Sequence, residues 1–265
     1  MRTLAPAGWI ALALLSACAA DERDPGDPPY ERLSDWGFFE GPLAELQPAA
    51  DVLPYTVASP LWADFAHKGR FMQLPEGATI GFTEQDEWEF PLGTIFIKTF
   101  FFDLDRRTPS LEIDADAHIV ETRLLILEDT GWESYIYVWD AAQQEAERNK
   151  AGVDVMLEYT DEAGQPASQL YLVPDQNACE SCHARDDVDR VLGPITHQLN
   201  VPGEGGGENQ LDLWASLGLF DTAPPPAAEL PAFAVPSGDG DLDARARAYL
   251  HGNCAHCHRP GGGGG

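Results

Sequence analysis

Two copies of one short cysteine–histidine pattern constrain this chain more than any other feature. Cys179-Glu-Ser-Cys182-His183 and Cys254-Ala-His-Cys257-His258 both have the form C-x-x-C-H, the signal for covalent attachment of a c-type haem. Each thiol adds across one vinyl group of the haem, so the two sulfurs must lie about one helical turn apart. The histidine that follows directly then lies beneath the iron as its proximal ligand. The sequence therefore predicts two sites of covalent haem c, attached through Cys179, Cys182, Cys254 and Cys257, with His183 and His258 as proximal ligands.

Three other interpretations of the cysteines compete with haem attachment. A zinc site made from two C-x-x-C pairs usually holds the pairs about 12 to 20 residues apart. Here Cys182 and Cys254 are 72 residues apart, and each pair has its own histidine. A thioredoxin-like redox pair would be single and would follow a βαβ strand, which the sequence does not indicate. Two ordinary disulfides in an exported protein remain open, although four of the five cysteines lie in the motifs.

The N-terminus has the pattern of an export signal. Residues 1–17 have a basic start and an apolar run, which is typical of a secretory signal peptide. The run is shorter than the roughly 20 apolar residues that a bilayer span needs. The tetrapeptide Leu-Ser-Ala-Cys that ends at Cys18 resembles the lipobox of bacterial lipoproteins. This resemblance implies lipidation of Cys18 and a periplasmic or cell-surface lipoprotein, anchored in the outer membrane because Ala19 follows. An ordinary signal peptide with an incidental cysteine is the alternative.

The charge balance limits the partners that the chain can bind. Sixteen Lys and Arg residues stand against 44 Asp and Glu residues, which gives a formal net charge of −28. So large an excess of acid disfavours nucleic acid and attracts basic surfaces. We therefore expect no nucleic-acid partner and a redox partner protein with a basic docking surface.

Composition divides the first two thirds of the chain at about residue 50. Residues 18–50 begin with an acidic, proline-rich stretch that has nothing to bury, so we expect a tether and lead-in. Residues 51–174 contain short runs of β-branched and aromatic residues separated by turn signals, with a short helix expected over 140–150. Within 133–139 apolar residues occupy both alternating sets of positions, as in a strand covered on both faces. An antiparallel all-β sandwich or jelly roll is predicted.

From residue 175 the pattern becomes helical, so the predicted fold is mixed. Residues 175–222 form the first predicted cytochrome c-like haem segment. Residues 223–241 are a Pro/Gly linker, and 242–265 are the start of a second haem segment. Helices are expected over residues 176–190, 209–217 and 242–253.

The chain also resembles a group of exported bacterial dihaem c-type cytochromes that pair an N-terminal β-rich domain with C-terminal haem segments. The resemblance covers most of the mature chain, in the stretches 59–64, 88–94, 173–183, 192–194, 198–200 and 249–260. It implies haem binding and electron transfer, and it gives neither a substrate nor a role for the β-rich domain.

The distal iron ligands are less constrained than the proximal ones. The three methionines, Met1, Met72 and Met156, all precede the first motif. His197, fourteen residues after His183, is therefore the nearest downstream candidate for the first iron. Met156 reaching across from the β-rich domain is an alternative, and a surface position for His197 is another.

The second motif lies close to the end of the sequence given. Seven residues, five of them glycine, follow His258, whereas a c-type domain normally has several tens of residues after its motif. We expect either a truncated chain or a second haem that is open or covered by a partner.

These features favour a dihaem cytochrome that transfers single electrons outside the cytoplasm over a stand-alone enzyme. One alternative is a haem-dependent oxidoreductase, peroxidase-like or a dehydrogenase electron-acceptor subunit, whose β-rich domain binds a substrate. A second alternative is a β-sandwich binding module that contains structural haem.

Overall fold

The computed structural model describes residues 27–110, 117–185, 188–189 and 191–258, without the side chains of 180–182, 184–185, 188–189 and 204. The first strands are β1 (Phe39–Glu40), β2 (Gln47–Pro48), β3 (Val52–Pro54), β4 (His67–Gln73), β5 (Ile95–Asp103) and β6 (Ala117–Glu128). They are followed by β7 (Gly131–Trp139), β8 (Ala146–Arg148), β9 (Val153–Thr160) and β10 (Pro166–Val173). The later elements are α1 (Gln176–His183), β11 (Ala184–Arg185), β12 (Val188–Asp189), α2 (Thr196–Leu199), α3 (Gln210–Ser216) and α4 (Leu242–Asn253). Short 3-10 helices cover Leu33–Trp36, Leu43–Glu45, Glu204–Gly206 and Ala227–Glu229.

A six-stranded antiparallel sheet forms the centre of the fold. Its strands lie in the order β3-β4-β5-β6-β7-β8, so each strand pairs with its neighbour in the sequence. The tight turn between β6 and β7 ends at Gly131, whose φ of 121° is one that L side chains rarely adopt. The prediction of a β-rich, antiparallel architecture is confirmed.

One face of the sheet is covered by the N-terminal segment. Leu33 and Phe38 pack against Ile97, Leu124 and other buried side chains of the central strands. Tyr137, fully buried in this cluster, donates its hydroxyl hydrogen to the Tyr30 carbonyl oxygen at 2.7 Å. This face is a continuous apolar layer.

The opposite face carries two apolar clusters with a polar row between them. At one end Phe96 and Leu125 pack against the helical residues Leu199 and Trp214. At the other end the β9–β10 hairpin covers the sheet, in a separate cluster whose members include Phe100, Ile136, Leu157 and Tyr171. Because side chains two residues apart share a face, Lys98 of β5 lies between Phe96 and Phe100.

Two of the four helices predicted from the sequence correspond to helices of the structure. The helices expected over 209–217 and 242–253 correspond to α3 and α4. The helix expected over 140–150 is wrong, because Ala146–Arg148 pairs with β7 as an edge strand. The helix expected over 176–190 ends at His183 and gives way to the β11–β12 ladder.

The helices after residue 174 do not form a core of their own. The buried apolar side chains of α2 and α3 join the same cluster as residues of β4, β5 and β6, and Cys179 of α1 packs against the hairpin-side cluster. Within the described residues, no helix is both long and apolar enough to span a bilayer.

Candidate functional site

The first motif lies on α1, which packs beside β7 of the large sheet. Cys179 is partly buried against the hairpin-side cluster. Burial raises the pKa of the Cys179 thiol, while the Arg123 charge and a hydrogen bond with Ser134 oppose that shift. Because thiolate is the reactive form of cysteine, the raised pKa disfavours thiol–disulfide exchange at Cys179.

The second motif begins where α4 ends. Asp241 caps the start of that helix by accepting a hydrogen bond from the Ala244 N–H at 3.0 Å. At the other end the chain continues in turns, in which the N–H groups of Cys257 and His258 both donate to the Cys254 carbonyl oxygen, at 3.1 and 2.9 Å. The side chains of Cys254 and Cys257 are partly buried, and that of His258 is exposed.

A loop from the β-rich part of the chain holds the end of α4. The Asn253 side-chain oxygen accepts a hydrogen bond from the Trp62 N–H at 2.7 Å. Gly252 lies so close to this loop that an added Cβ would stand 2.5 Å from the Ser59 carbonyl oxygen. The second motif is thus fixed to residues that lie almost two hundred positions earlier in the sequence.

Both motifs contribute to one cavity of about 810 Å³, a volume within the range of cofactor and ligand sites. Cys179 and His183 of the first motif line it, as do Ala255 and His256 of the second. The sheet supplies Arg70, Phe96, Lys98, Arg123 and Ser134 to the lining, and the segment leading into α2 supplies Val191, Leu192 and Ile195. The tertiary structure therefore brings together two motifs that are far apart in the sequence.

A row of three basic side chains crosses the sheet beneath this cavity. Arg70 is the register partner of Lys98, and Lys98 is in turn the partner of Arg123. Burial lowers the pKa of Lys98 well below its ordinary value, and the charges of Arg70 and Arg123 lower it further. Burial also lowers the pKa of Arg70.

Arg123 has a carboxylate partner within the sheet. Its guanidinium group makes two hydrogen bonds to the fully buried Glu121, at 2.8 and 2.6 Å. The Tyr171 hydroxyl donates to the same carboxylate at 2.6 Å. This paired geometry is the strong form of an arginine–carboxylate contact, and it fixes Arg123 close to Cys179.

His197, the predicted distal ligand, lies outside the lining of the cavity, whereas His183, the predicted proximal ligand, is part of it. His197 lies beside Phe233, with ring centroids 5.1 Å apart, and it is not among the residues that line the cavity. His251 packs on Phe233, at 4.7 Å between centroids, and does line the cavity together with His256. The assignment of His197 as a ligand stays a prediction.

Some predicted site residues lie outside the described part of the chain. Cys18 and the export signal precede it, and the side chain of Cys182 is likewise outside it, although its backbone belongs to α1. Cys254, Cys257 and His258 are described and lie outside the lining of the cavity.

Sequence reasoning missed the basic row and Ser59, which also lines the cavity. A usable signal was present in β5, where Lys98 is the only charged residue in the run from Ile95 to Phe102. A lysine in such a run must face either water or an internal cavity, because burying a charge without a partner is costly.

The chemistry of the lining suits a covalently attached haem. The Cys179 thiol and the His183 imidazole on one helix could supply attachment and ligand atoms, apolar side chains line the walls, and the basic row could neutralise acidic groups on a haem. Cys179, Cys254 and Cys257 are free cysteines. Among the described residues, no group of three or more His, Cys, Asp or Glu side chains is arranged to hold a metal ion.

Comparisons of the chain with protein-family models, curated proteins and solved structures gave no match.

Proposed function

We propose that this protein is an exported dihaem c-type cytochrome that transfers electrons. The observation that supports this most strongly is the shared cavity, whose lining includes Cys179 and His183 of one C-x-x-C-H motif and the two intervening residues, Ala255 and His256, of the other. Two unrelated disulfides or two separate redox pairs would give no reason for both motifs to lie at one internal space. The helical segments that carry the motifs would be the cytochrome c-like parts of the fold.

Each residue of the first motif has a distinct role in this proposal. Cys179 and Cys182 would form thioether bonds to the haem, and His183 would bind the iron. When bound, the haem supplies one-electron exchange between ferric and ferrous iron. The sheet and the apolar side chains around the cavity would limit access of water, which affects the reduction potential.

The distal ligand can be sought among three histidines. His197 follows the first motif most closely in the sequence, while His251 and His256 line the cavity with His183. A second histidine as an iron ligand would favour a lower reduction potential than a methionine would.

The acidic character of the chain would suit electron transfer to a partner protein. The net charge of −28 would attract a basic redox partner and accelerate its association. We further propose that Cys18 carries the lipid that anchors the protein at the outer membrane, as its lipobox-like context suggests.

Expression of the full-length gene with a haem-maturation system tests the proposal. We expect a red protein whose pyridine haemochrome spectrum is that of haem c and whose mass has increased by that of two haems. A colourless product with four free or mutually bridged motif thiols would rule the proposal out. Turnover of peroxide by the red protein would instead support the haem-dependent oxidoreductase alternative.

A further inference from the structure

The basic row is an unusual arrangement in a sheet. Like charges directly opposite one another on neighbouring strands destabilise a sheet, and here two such pairs, Arg70 with Lys98 and Lys98 with Arg123, are adjacent. The row runs across three strands, a distance of about 10 Å. The chain has 44 acidic residues, so a row of three basic side chains stands out against the composition of the rest of the protein.

The carboxylates of the described residues neutralise the row in part. Glu121 is paired with Arg123, while Arg70 donates to the Lys68 carbonyl oxygen at 3.2 Å. Within the described chain, neither Arg70 nor Lys98 has a carboxylate at ion-pair distance. Asp86 and Glu87 also line the cavity, but besides burial the groups that act most on Lys98 are Arg70, Arg123, Lys68 and Glu121.

A buried polar side chain, Ser59, lies beside the same cavity. Ser59 is 1% exposed, and its hydroxyl oxygen has no hydrogen-bond partner among the described atoms. The backbone of Ser59 is fully engaged, since its N–H and its carbonyl oxygen bond to the Gln198 side chain at 2.8 and 3.0 Å. A buried hydroxyl without a partner costs free energy, and Ser59 lies in the lining.

We propose that Arg70, Lys98 and Arg123 form a carboxylate-binding site in the floor of the cavity. The walls contain Phe96, Leu125 and Ile195, so the ligand has an apolar body as well as a carboxylate. Two sources meet this description: the propionate groups of a haem attached at Cys179, and a free carboxylate with an apolar body. The first source rests on the function proposed above, whereas the second does not.

Binding of benzoate tests the site, with benzamide as the uncharged control of the same shape. The full chain is prepared with and without the haem-maturation system, and each form is titrated by calorimetry. The haem-free chain is expected to bind benzoate and not benzamide. Lys98→Met should weaken benzoate binding roughly ten- to a hundredfold, the range of one charge-assisted hydrogen bond.

Lys150→Met is the control for the same substitution, since Lys150 is exposed and lies outside the lining. It should change benzoate affinity by less than about twofold. Equal affinity of the wild type and Lys98→Met for benzoate, or equal affinity of the wild type for benzamide, would overturn the proposal.

The haem-loaded chain separates the two sources. If propionates occupy the site, the loaded chain no longer binds benzoate, and Lys98→Met but not Lys150→Met shifts the propionate bending band in the resonance Raman spectrum. If a free carboxylate is the ligand, the loaded chain still binds benzoate. When no haem attaches at all, the function proposed above fails, and the benzoate titration of the haem-free chain still decides the carboxylate site.

Thermal unfolding distinguishes ligand binding from a structural role of Lys98. Because its charge is unfavourable in the empty cavity, Lys98→Met should raise the melting temperature of the haem-free chain by a few degrees. A lower melting temperature with unchanged benzoate affinity would assign Lys98 to the fold alone. Should the haem-free chain prove unfolded by circular dichroism, an unshifted Raman band in loaded Lys98→Met would overturn the proposal.

Discussion

The first motif lies on a helix that packs against the large sheet, whereas the second follows a helix whose end is held by a loop of the β-rich part. Cys179 is part of an apolar cluster that includes Phe100 and Tyr171. Among the described residues, no such cluster includes Cys254 or Cys257. On α4, Ala248 is buried while Leu242 and Leu250 are exposed. The same C-x-x-C-H motif is therefore held in two ways, by packing against the sheet at the first site and by contacts with a loop at the second. Substitutions at each site can test this difference.

Removal of the cysteines should have the largest effect. We expect Cys179→Ala/Cys182→Ala and Cys254→Ala/Cys257→Ala each to lower the covalent haem count from two to one, as measured by intact mass. Because Cys179 packs in the core, the first pair should also reduce thermal stability more than the second. A count that stays at two in either variant would contradict the assignment of that motif.

Glu121→Gln tests the support of the first motif. The substitution removes the charge that compensates Arg123 beside Cys179. Removing one partner of a buried ion pair typically costs about 3–5 kcal/mol, and we expect the lower end because the Arg123 side chain is 31% exposed. Urea unfolding of the full chain measures the change.

Glu147→Gln is the control for that experiment, since Glu147 is an exposed residue of the edge strand β8. Its effect should stay within about 0.5 kcal/mol. Equal effects of the two substitutions would show that the Glu121–Arg123 pair does not stabilise the site.

Gly252→Ala tests the support of the second motif. The new Cβ would stand 2.5 Å from the Ser59 carbonyl oxygen, and overpacking of this kind costs about 1–3 kcal/mol. Alanine is also a better helix former than glycine by about 1 kcal/mol, so without the close contact the variant would be more stable. We therefore expect a lower melting temperature if the close contact with Ser59 exists, whereas a higher melting temperature would show that it does not.

Gly240→Ala serves as its control, because an added Cβ meets nothing within 4 Å there. Hydrogen exchange should be faster in α4 of Gly252→Ala and unchanged in α1. Faster exchange in both helices would indicate that the two motifs are not supported independently.

The smallest change in stability is expected from His251→Ala, since that side chain is exposed. Its effect should be within about 0.5 kcal/mol. Because His251 lines the cavity and His197 does not, we expect His251→Ala to change the low-spin haem spectrum more than His197→Ala. A larger change in His197→Ala would support the ligand suggested by sequence order.

The local pattern was sufficient for some elements and insufficient for others. The start of α4 could be read from the sequence because Asp241 provides an N-cap and strong helix formers (Leu, Ala and Arg) fill most of the first three turns. The strand β4 cannot be recognised from the sequence pattern, because Lys68 and Arg70 make its inner face polar and hide the alternation that marks a half-buried strand. The position of Arg70 in the cavity lining depends on the pairing of β4 with β5, which the sequence does not reveal.

Residues 140–150 illustrate how tertiary contacts override propensity. The segment is rich in Ala, Gln and Glu, which favour helices. In the structure Ala146 is fully buried against the N-terminal side of the sheet, and Gln143 has a positive φ of 56°. Pairing of Val138 with Glu147 on β8 replaces the hydrogen bonds that a helix would have made.

The sequence by itself determined the chemistry of the two C-x-x-C-H motifs, because the spacing of thiols and imidazole is fixed within five consecutive residues. It also determined the antiparallel character of the β-rich part, since that depends on local alternation and turns. Only the tertiary structure decided that both motifs lie at one cavity and that Arg70, Lys98 and Arg123 form its basic floor. Those relations depend on strand register and on long-range packing, which bring together residues that no local pattern connects.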